Sequence, residues 1–265
     1  MNVLSLFDGM SCGQIALNKA GIKYHNYFAC EIDKYAIQVA QENFPNTVQL
    51  GDVTEVGTSK SWSQGKEIGV LVARCRGHHK IDLLMGGSPC QGFSFAGKQL
   101  NFDDPRSRLF FDFIRIRDEL LPKYVLLENV RMSKESQDVI SKYMGCEPTK
   151  INSALLSAQS RNRLYWFVQY DWDLQKYVPI HIEQPQDRGI KLKDILEDLP
   201  FGEIPQYLAN NWSGSPRGDR VKSIDDDKAN CLTASMYKGQ IPTFIKKPNP
   251  TMSKEGLLHV GTANL

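Results

Sequence analysis

Cys90 stands within Gly86-Gly87-Ser88-Pro89-Cys90-Gln91-Gly92-Phe93-Ser94, directly after the apolar run Ile81 to Met85. Such a run reads as a buried strand, so the thiol leaves the carboxyl edge of a sheet, where open α/β sheets gather their ligands. The small residues around it leave room for a flat substrate. A structural thiol in a glycine-rich turn is the competing reading, because free cysteine is among the most buried residue types. The strand before it, the glycines on both sides and the acidic Glu128-Asn129-Val130 downstream favour a nucleophile.

A second chemistry lies nearer the amino terminus. Asp8-Gly9-Met10-Ser11-Cys12-Gly13 follows the apolar Val3 to Phe7 and precedes a helical pattern; Glu31 and Asp52 end the next two apolar runs. A glycine turn at a helix start presents backbone N–H groups to a nucleotide, and an acidic residue about twenty positions on can take ribose hydroxyls. The spacing implies an adenosine-containing cofactor. The turn has two glycines where the dinucleotide fingerprint asks for about three, which disfavours nicotinamide. Arg161 and Arg163 alternate with Ser160 and Asn162 before Leu164 to Phe167, and alternation sends both guanidinium groups to one side of an extended segment.

The elements that must position these groups alternate. Strands are expected at Val3 to Phe7, Tyr27 to Ile32, Thr47 to Leu50, Ile81 to Met85, Tyr124 to Leu127, Ile151 to Leu155 and Leu164 to Tyr170. Helices are expected at Gln14 to Ala20, around Tyr35 to Ala40, over Leu109 to Leu120 and near Ser136 to Tyr143. This order predicts an α/β fold with a parallel sheet and helices on both faces. Gly57 to Lys80 reads as a polar loop. Its Cys75, His78 and His79 lack a partner cluster, so no metal is expected. From Asp171 prolines punctuate a segment of little periodicity, which places a boundary near Trp172 and two regions at 1–170 and 171–265.

With 265 residues, 41% hydrophobic and 23% charged, the chain suits one large domain with a smaller appendage. No apolar run is long enough to cross a bilayer, and the first residues lack the features of a signal peptide, so a cytoplasmic protein is expected. The six cysteines show no paired pattern and are expected free. A net charge of +2 does not by itself argue for nucleic acid.

Gly86 to Ser94, Glu128-Asn129-Val130 and Gln159-Ser160-Arg161-Asn162-Arg163, in that order, resemble the motifs of the DNA cytosine methyltransferases, bacterial or phage type, that modify carbon 5 of the base. The likeness runs from about Asn2 to Phe167. It implies a doubly wound, mostly parallel Rossmann-like sheet and S-adenosylmethionine as cofactor. Phe7, Gly9, Gly13 and Pro89 would line the cofactor pocket, with Glu31 on the ribose and Asp52 on the adenine amino group. Cys90 would add to carbon 6 of a cytosine flipped out of the duplex, with Glu128 near N3 and the exocyclic amine. Arg161 and Arg163 would reach the base oxygen and the active-site phosphate. Gln91, Ser94, Asn129 and Gln159 would face the substrate, and the loop Gln91 to Arg106 would close over DNA.

The resemblance also implies double-stranded DNA as partner, bound by a monomer that associates with the nucleoid, and a target-recognition role for 171–265. Arg188, Lys191, Lys193, Arg217, Arg220 and Lys222 there suit phosphate, and Asn210 to Ser213 suit base edges. Lys228 to Ser235 loosely resembles the motif that anchors this region. The family's closing motif, with its Gly-Asn pair, has no counterpart in Gly261 to Leu265. A truncated chain, a second chain supplying the piece and a divergent enzyme all remain open. So do an RNA cytosine methyltransferase and a DNA-binding relic.

Overall fold

The computed structural model describes residues 1–56, 81–89, 105–195, 221–223, 228–230, 244–246 and 257–259. The chain packs into two compact units: Met1–Lys150 with Arg163–Glu183, and Ile151–Asn162 with Gln184–Leu265. Trp172, where the composition changes, lies in the turn between two antiparallel strands of the first unit.

That unit opens with β1 (Asn2–Leu6), α1 (Cys12–Lys19), β2 (Asn26–Cys30), α2 (Lys34–Asn43) and β3 (Val48–Gln49). It continues with β4 (Leu83–Gly86), α3 (Pro105–Leu120), β5 (Tyr124–Val130) and α4 (Lys134–Met144). After β6 (Thr149–Asn152) and β7 (Gln159–Ser160), the long β8 (Asn162–Asp171) and β9 (Lys176–Pro179) return to it. The sheet has eight strands in the order β3-β2-β1-β4-β5-β8-β6, with β9 also on β8. From β3 to β5 every pairing is parallel; β8 runs antiparallel to β5, and β9 to β8. The expected mostly parallel, doubly wound α/β architecture is therefore present.

Alternation along the strands builds the two faces. Val3, Tyr27, Ala29, Leu83 and Met85 pack with Leu17 of α1. Leu4, Leu6, Phe28, Leu84, Val125 and Leu127 pack with Phe110, Phe113 and Ile116 of α3 and with Ile140 and Met144 of α4. Buried on both sides, these strands read as apolar runs. Side chains and glycines set the helix ends. Asp33 accepts the N–H groups of Tyr35 and Ala36 to start α2, Ser133 accepts that of Ser136 at α4, and Gly145 in the left-handed region ends α4.

Two elements differ from expectation. Ile151 to Leu155 is no single strand: β6 stops at Asn152, whose side chain accepts N–H groups from Ala154 and Arg161, both at 3.0 Å, and a single 3-10 turn follows. The carboxamide offers the backbone an alternative to the ladder. β9 was not foreseen, because a four-residue edge strand that ends in Pro179 shows little period-2 pattern.

In the second unit β7 pairs with β11 (Ala229–Asn230). β10 (Val221–Ser223), β12 (Phe244–Lys246) and β13 (Leu257–His259) form a separate sheet. Lys228 donates to the carbonyls of Ser157 (3.2 Å) and Ile190, tying three segments of this unit together.

Candidate active site

Strand order reverses beside β1, where β2 lies on one side and β4 on the other. The carboxyl ends meeting there are the topological switch point, the place where doubly wound sheets bind ligands. Phe7, Asp8 and Gly9 leave β1 there, Glu31 leaves β2, Asp52 follows β3, and Gly87 to Pro89 leave β4.

The turn after β1 is tightly specified. Phe7 (φ 59°), Gly9 (φ 58°) and Ser11 (φ 62°) are all in the left-handed region. The Gly9 N–H donates to Glu31 Oε2 at 2.8 Å, and the N–H groups of Ile32 and Asp33 donate to Glu31 Oε1 at 2.8 and 2.9 Å. A carboxylate offers about four acceptor sites, so Glu31 is oriented by backbone on both oxygens and keeps capacity on Oε2. A methyl group built on Gly9 would meet nothing within 4 Å, so the turn faces open space. Asp52 Oδ1 accepts the N–H and hydroxyl of Thr54, both at 2.9 Å. Burial pushes the Cys30 thiol up, and the charges of Asp8, Asp52 and Glu31 push it further, so three carboxylates converge on the end of β2.

An adenosine-bearing cofactor fits this donor set: a carboxylate with a free acceptor site for a ribose hydroxyl, a second carboxylate one strand over, and an open glycine turn. Two contributors escaped the sequence reading. Ile32, apolar yet 75% exposed beside Glu31, offers a surface for a purine ring. Arg115 of α3 donates to the carbonyls of Val56 (2.6 Å) and Val53 (3.4 Å) and pairs with Asp112 at 2.9 Å, fastening the Asp52 loop. The first left a faint signal, an apolar residue straight after a strand-end carboxylate. The second left none, since its partners are some sixty residues away.

Glu128 and Arg163 meet at the neighbouring strand tip. β5 and β8 run antiparallel with Val130 opposite Arg163, so Arg163 is the diagonal neighbour of Glu128 on the same face. Arg163 Nε lies 2.6 Å from Glu128 Oε1, with side chains 15% and 35% exposed. The Nε–H does not point along that line, so the pair is a charge contact rather than an aligned hydrogen bond. Glu128 Oε2 leans over Gly87, where a Cβ would come within 2.8 Å of it. The second glycine of the Gly86-Gly87 pair therefore makes room for the carboxylate. Asn129 is buried, and its amide donates to the Ser88 carbonyl (3.4 Å) and hydroxyl (3.2 Å), holding the segment that leads to Pro89.

Gln159 and Arg161 belong to the second unit. The Gln159 carbonyl accepts the Ser153 hydroxyl at 2.8 Å, and the Arg161 carbonyl accepts the Ser153 N–H at 3.1 Å. Cys90, Gln91, Ser94 and the loop to residue 104 lie outside the described residues, as do Cys75, His78, His79, Asn210 to Ser213, Arg217, Arg220 and Cys231. Lys222 is described in its backbone alone. Among the described residues no group of acidic, Cys and His side chains could hold a metal ion. No helix among them is long and apolar enough to cross a membrane.

The family described as C-5 cytosine-specific DNA methylase matches residues 1–216. Type II methyltransferase M.Eco47II of Escherichia coli is 39% identical over 260 positions, covering 89% of this chain and 58% of that protein. Type II methyltransferase M1.ScrFI of Lactococcus lactis subsp. cremoris is 29% identical over 275 positions, covering 95% and 66%. The chain thus spans less than two thirds of these two relatives. Among solved structures, a mutant of Spodoptera frugiperda DNMT2 shares the fold at 21% identity, with a TM-score of 0.62 over 94% of this chain and 75% of that one.

Proposed function

The chain belongs to the family of C-5 cytosine-specific DNA methylases, and from that premise we propose that it transfers a methyl group from S-adenosylmethionine to carbon 5 of cytosine in duplex DNA. The observation that carries the reading is the Glu128–Arg163 pair folded over Gly87, three residues before Cys90, beside a glycine turn held by Glu31.

Carbon 5 of cytosine is too poor a nucleophile to take a methyl unaided. The Cys90 thiolate adds to carbon 6 of a base flipped out of the stack, and the electron pair of the broken double bond moves toward carbon 5. Glu128 meets N3 and the exocyclic amine, where a proton or hydrogen bond relieves the charge that develops. Arg163 anchors that carboxylate and reaches the base oxygen, and Arg161 serves the active-site phosphate. When bound, S-adenosylmethionine would supply an electrophilic sulfonium methyl to carbon 5, the sulfur–methyl bond breaking to leave S-adenosylhomocysteine. Loss of the carbon 5 proton to a base then breaks the Cys90–carbon 6 bond and returns the thiolate.

Glu31 holds the ribose, Asp52 the adenine amino group, and Phe7, Gly9, Gly13 and Pro89 enclose the cofactor. Of the expected 171–265 region, residues 184–265 read the target, with Arg188, Lys191 and Lys193 toward phosphates.

Trapping tests the reading. Fluorine at carbon 5 blocks the closing elimination, so duplex DNA containing 5-fluorocytosine, incubated with the chain and S-adenosylmethionine, should give an adduct that survives denaturing electrophoresis. Cys90→Ser should give none. An adduct retained by Cys90→Ser, or methyl transfer to transfer RNA and not to duplex DNA, would overturn it.

A further inference from the structure

The turn after β1 is clamped from inside the protein by a buried polar cluster that the methyl-transfer chemistry does not use. Asp8 is 9% exposed, and both of its carboxylate oxygens are engaged. Tyr27 of β2 donates its hydroxyl to Asp8 Oδ1 at 2.7 Å, and the Ser11 hydroxyl donates to Oδ2. The Ser11 N–H closes the turn onto the Asp8 carbonyl at 3.1 Å, and the Asp8 N–H donates to the Cys30 carbonyl at 3.1 Å. Behind them Gln14 donates to the Ser11 hydroxyl (3.1 Å) and to Thr47 (2.7 Å), and accepts from Tyr24 (2.8 Å). No Lys, Arg or His pairs with Asp8 among the described residues.

A buried carboxylate without a cation depends on its hydrogen-bond donors. Burial pushes the Tyr27 phenol up and the Asp8 charge pushes it further, so the phenol keeps its proton and remains a donor. Non-glycine residues in the left-handed region persist only where their surroundings over-determine them, and Phe7 and Ser11 flank Asp8 on either side. Gly13 presses on the same phenol: a Cβ there would meet the Tyr27 hydroxyl at 2.8 Å and Met85 sulfur at 2.6 Å.

We propose that Tyr27 is a positioning residue for the cofactor turn, acting through Asp8 and Ser11 to hold the Gly9 to Gly13 backbone in its ligand-ready form. Naming the ligand of this turn rests on the function proposed above; the clamp does not. Glu31 holds the outer side of the turn and Tyr27 the inner side, so loss of the phenol should loosen the turn while β2 and α2 stay intact.

The test compares Tyr27→Phe with Tyr177→Phe, which loses a phenol hydrogen bond to the Pro122 carbonyl at the opposite end of the sheet. Hydrogen exchange of the ligand-free chain should show amides of Gly9 to Gly13 exchanging on the order of tenfold faster in Tyr27→Phe and unchanged in Tyr177→Phe. KM for S-adenosylmethionine should rise on the order of tenfold, with kcat within about twofold, the pattern of lost uniform binding. Gly13→Ala, which displaces the phenol without removing it, should accelerate exchange at Gly9 and Ser11 in the same way. Wild-type exchange rates in the turn of both variants, or a fall in kcat at unchanged KM, would overturn the proposal. A turn that loosens as expected in a chain that binds no S-adenosylmethionine would support the clamp and overturn the function assigned to it.

Discussion

At the scale of single residues the site is organised by carboxylates, each with its partners. Glu31 is held by three backbone N–H groups, Asp8 by two hydroxyls and Glu128 by one guanidinium. Replacing Glu31 with Gln removes the charge and puts an amide group where an oxygen accepts N–H groups. Losing a hydrogen bond to a charged group should raise the S-adenosylmethionine Kd by about 10- to 100-fold, read by calorimetry. Gly87→Ala should act on chemistry without touching a reacting atom. The added Cβ sits 2.8 Å from Glu128 Oε2 and must displace it, so adduct formation on 5-fluorocytosine DNA should slow by roughly the 10²-fold typical of a lost positioned acid. Binding of S-adenosylmethionine should be unchanged, and a wild-type trapping rate would show that Glu128 needs no fixed position. The strand-end positions of Glu31 and Glu128 were legible because each follows an apolar run. Tyr27 and Arg115 were not, since a phenol in a strand or an arginine in a helix declares nothing until the fold brings its partner near.

At the scale of elements, the antiparallel β8 turns a basic motif into a partner for β5. Parallel strands deliver their carboxyl ends to the site; β8 delivers its start, and so places Arg163 beside Glu128 instead of at the far edge of the sheet. Strands β1, β2 and β4 were legible because burial on both faces writes them as apolar runs, and the helices because their spacing shows. The direction of β8 carries no such signal, since a buried strand reads the same either way, and the sequence pattern alone suggested a parallel sheet. What fixes β8 is packing: Trp166 is fully buried and its indole N–H donates to Ser141 of α4 at 3.0 Å. Trp166→Ala should therefore cost about 3–5 kcal/mol in urea unfolding. Ser141→Ala, which strands the indole N–H, should cost about 1–3 kcal/mol. A Trp166→Ala chain as stable as wild type would mean that β8 is held in register by its ladder alone.

At the scale of the whole molecule, the first unit keeps several weak acids neutral by burying them. Burial raises the phenols of Tyr27 and Tyr177 and the thiol of Cys30, and it pushes the Cys146 thiol from its ordinary 9.0 up to about 11. These groups act in one direction. The folded chain holds their protons to higher pH than the unfolded chain does, so where only the unfolded form has ionised the native state binds more protons and stability falls as pH rises. Below about 9 both states hold the Cys146 proton and the contribution is fully present; it is lost as pH climbs from about 9 to about 11. The more strongly raised groups extend the loss to higher pH. The urea midpoint should thus stay level through neutral pH and decline above about pH 9. Cys146→Ala should remove the part of the decline that lies between about 9 and about 11 and leave the rest. An identical alkaline profile in wild type and Cys146→Ala would mean that this thiol ionises as freely in the folded chain as in the unfolded one, and that its burial against the sheet contributes nothing to alkaline sensitivity.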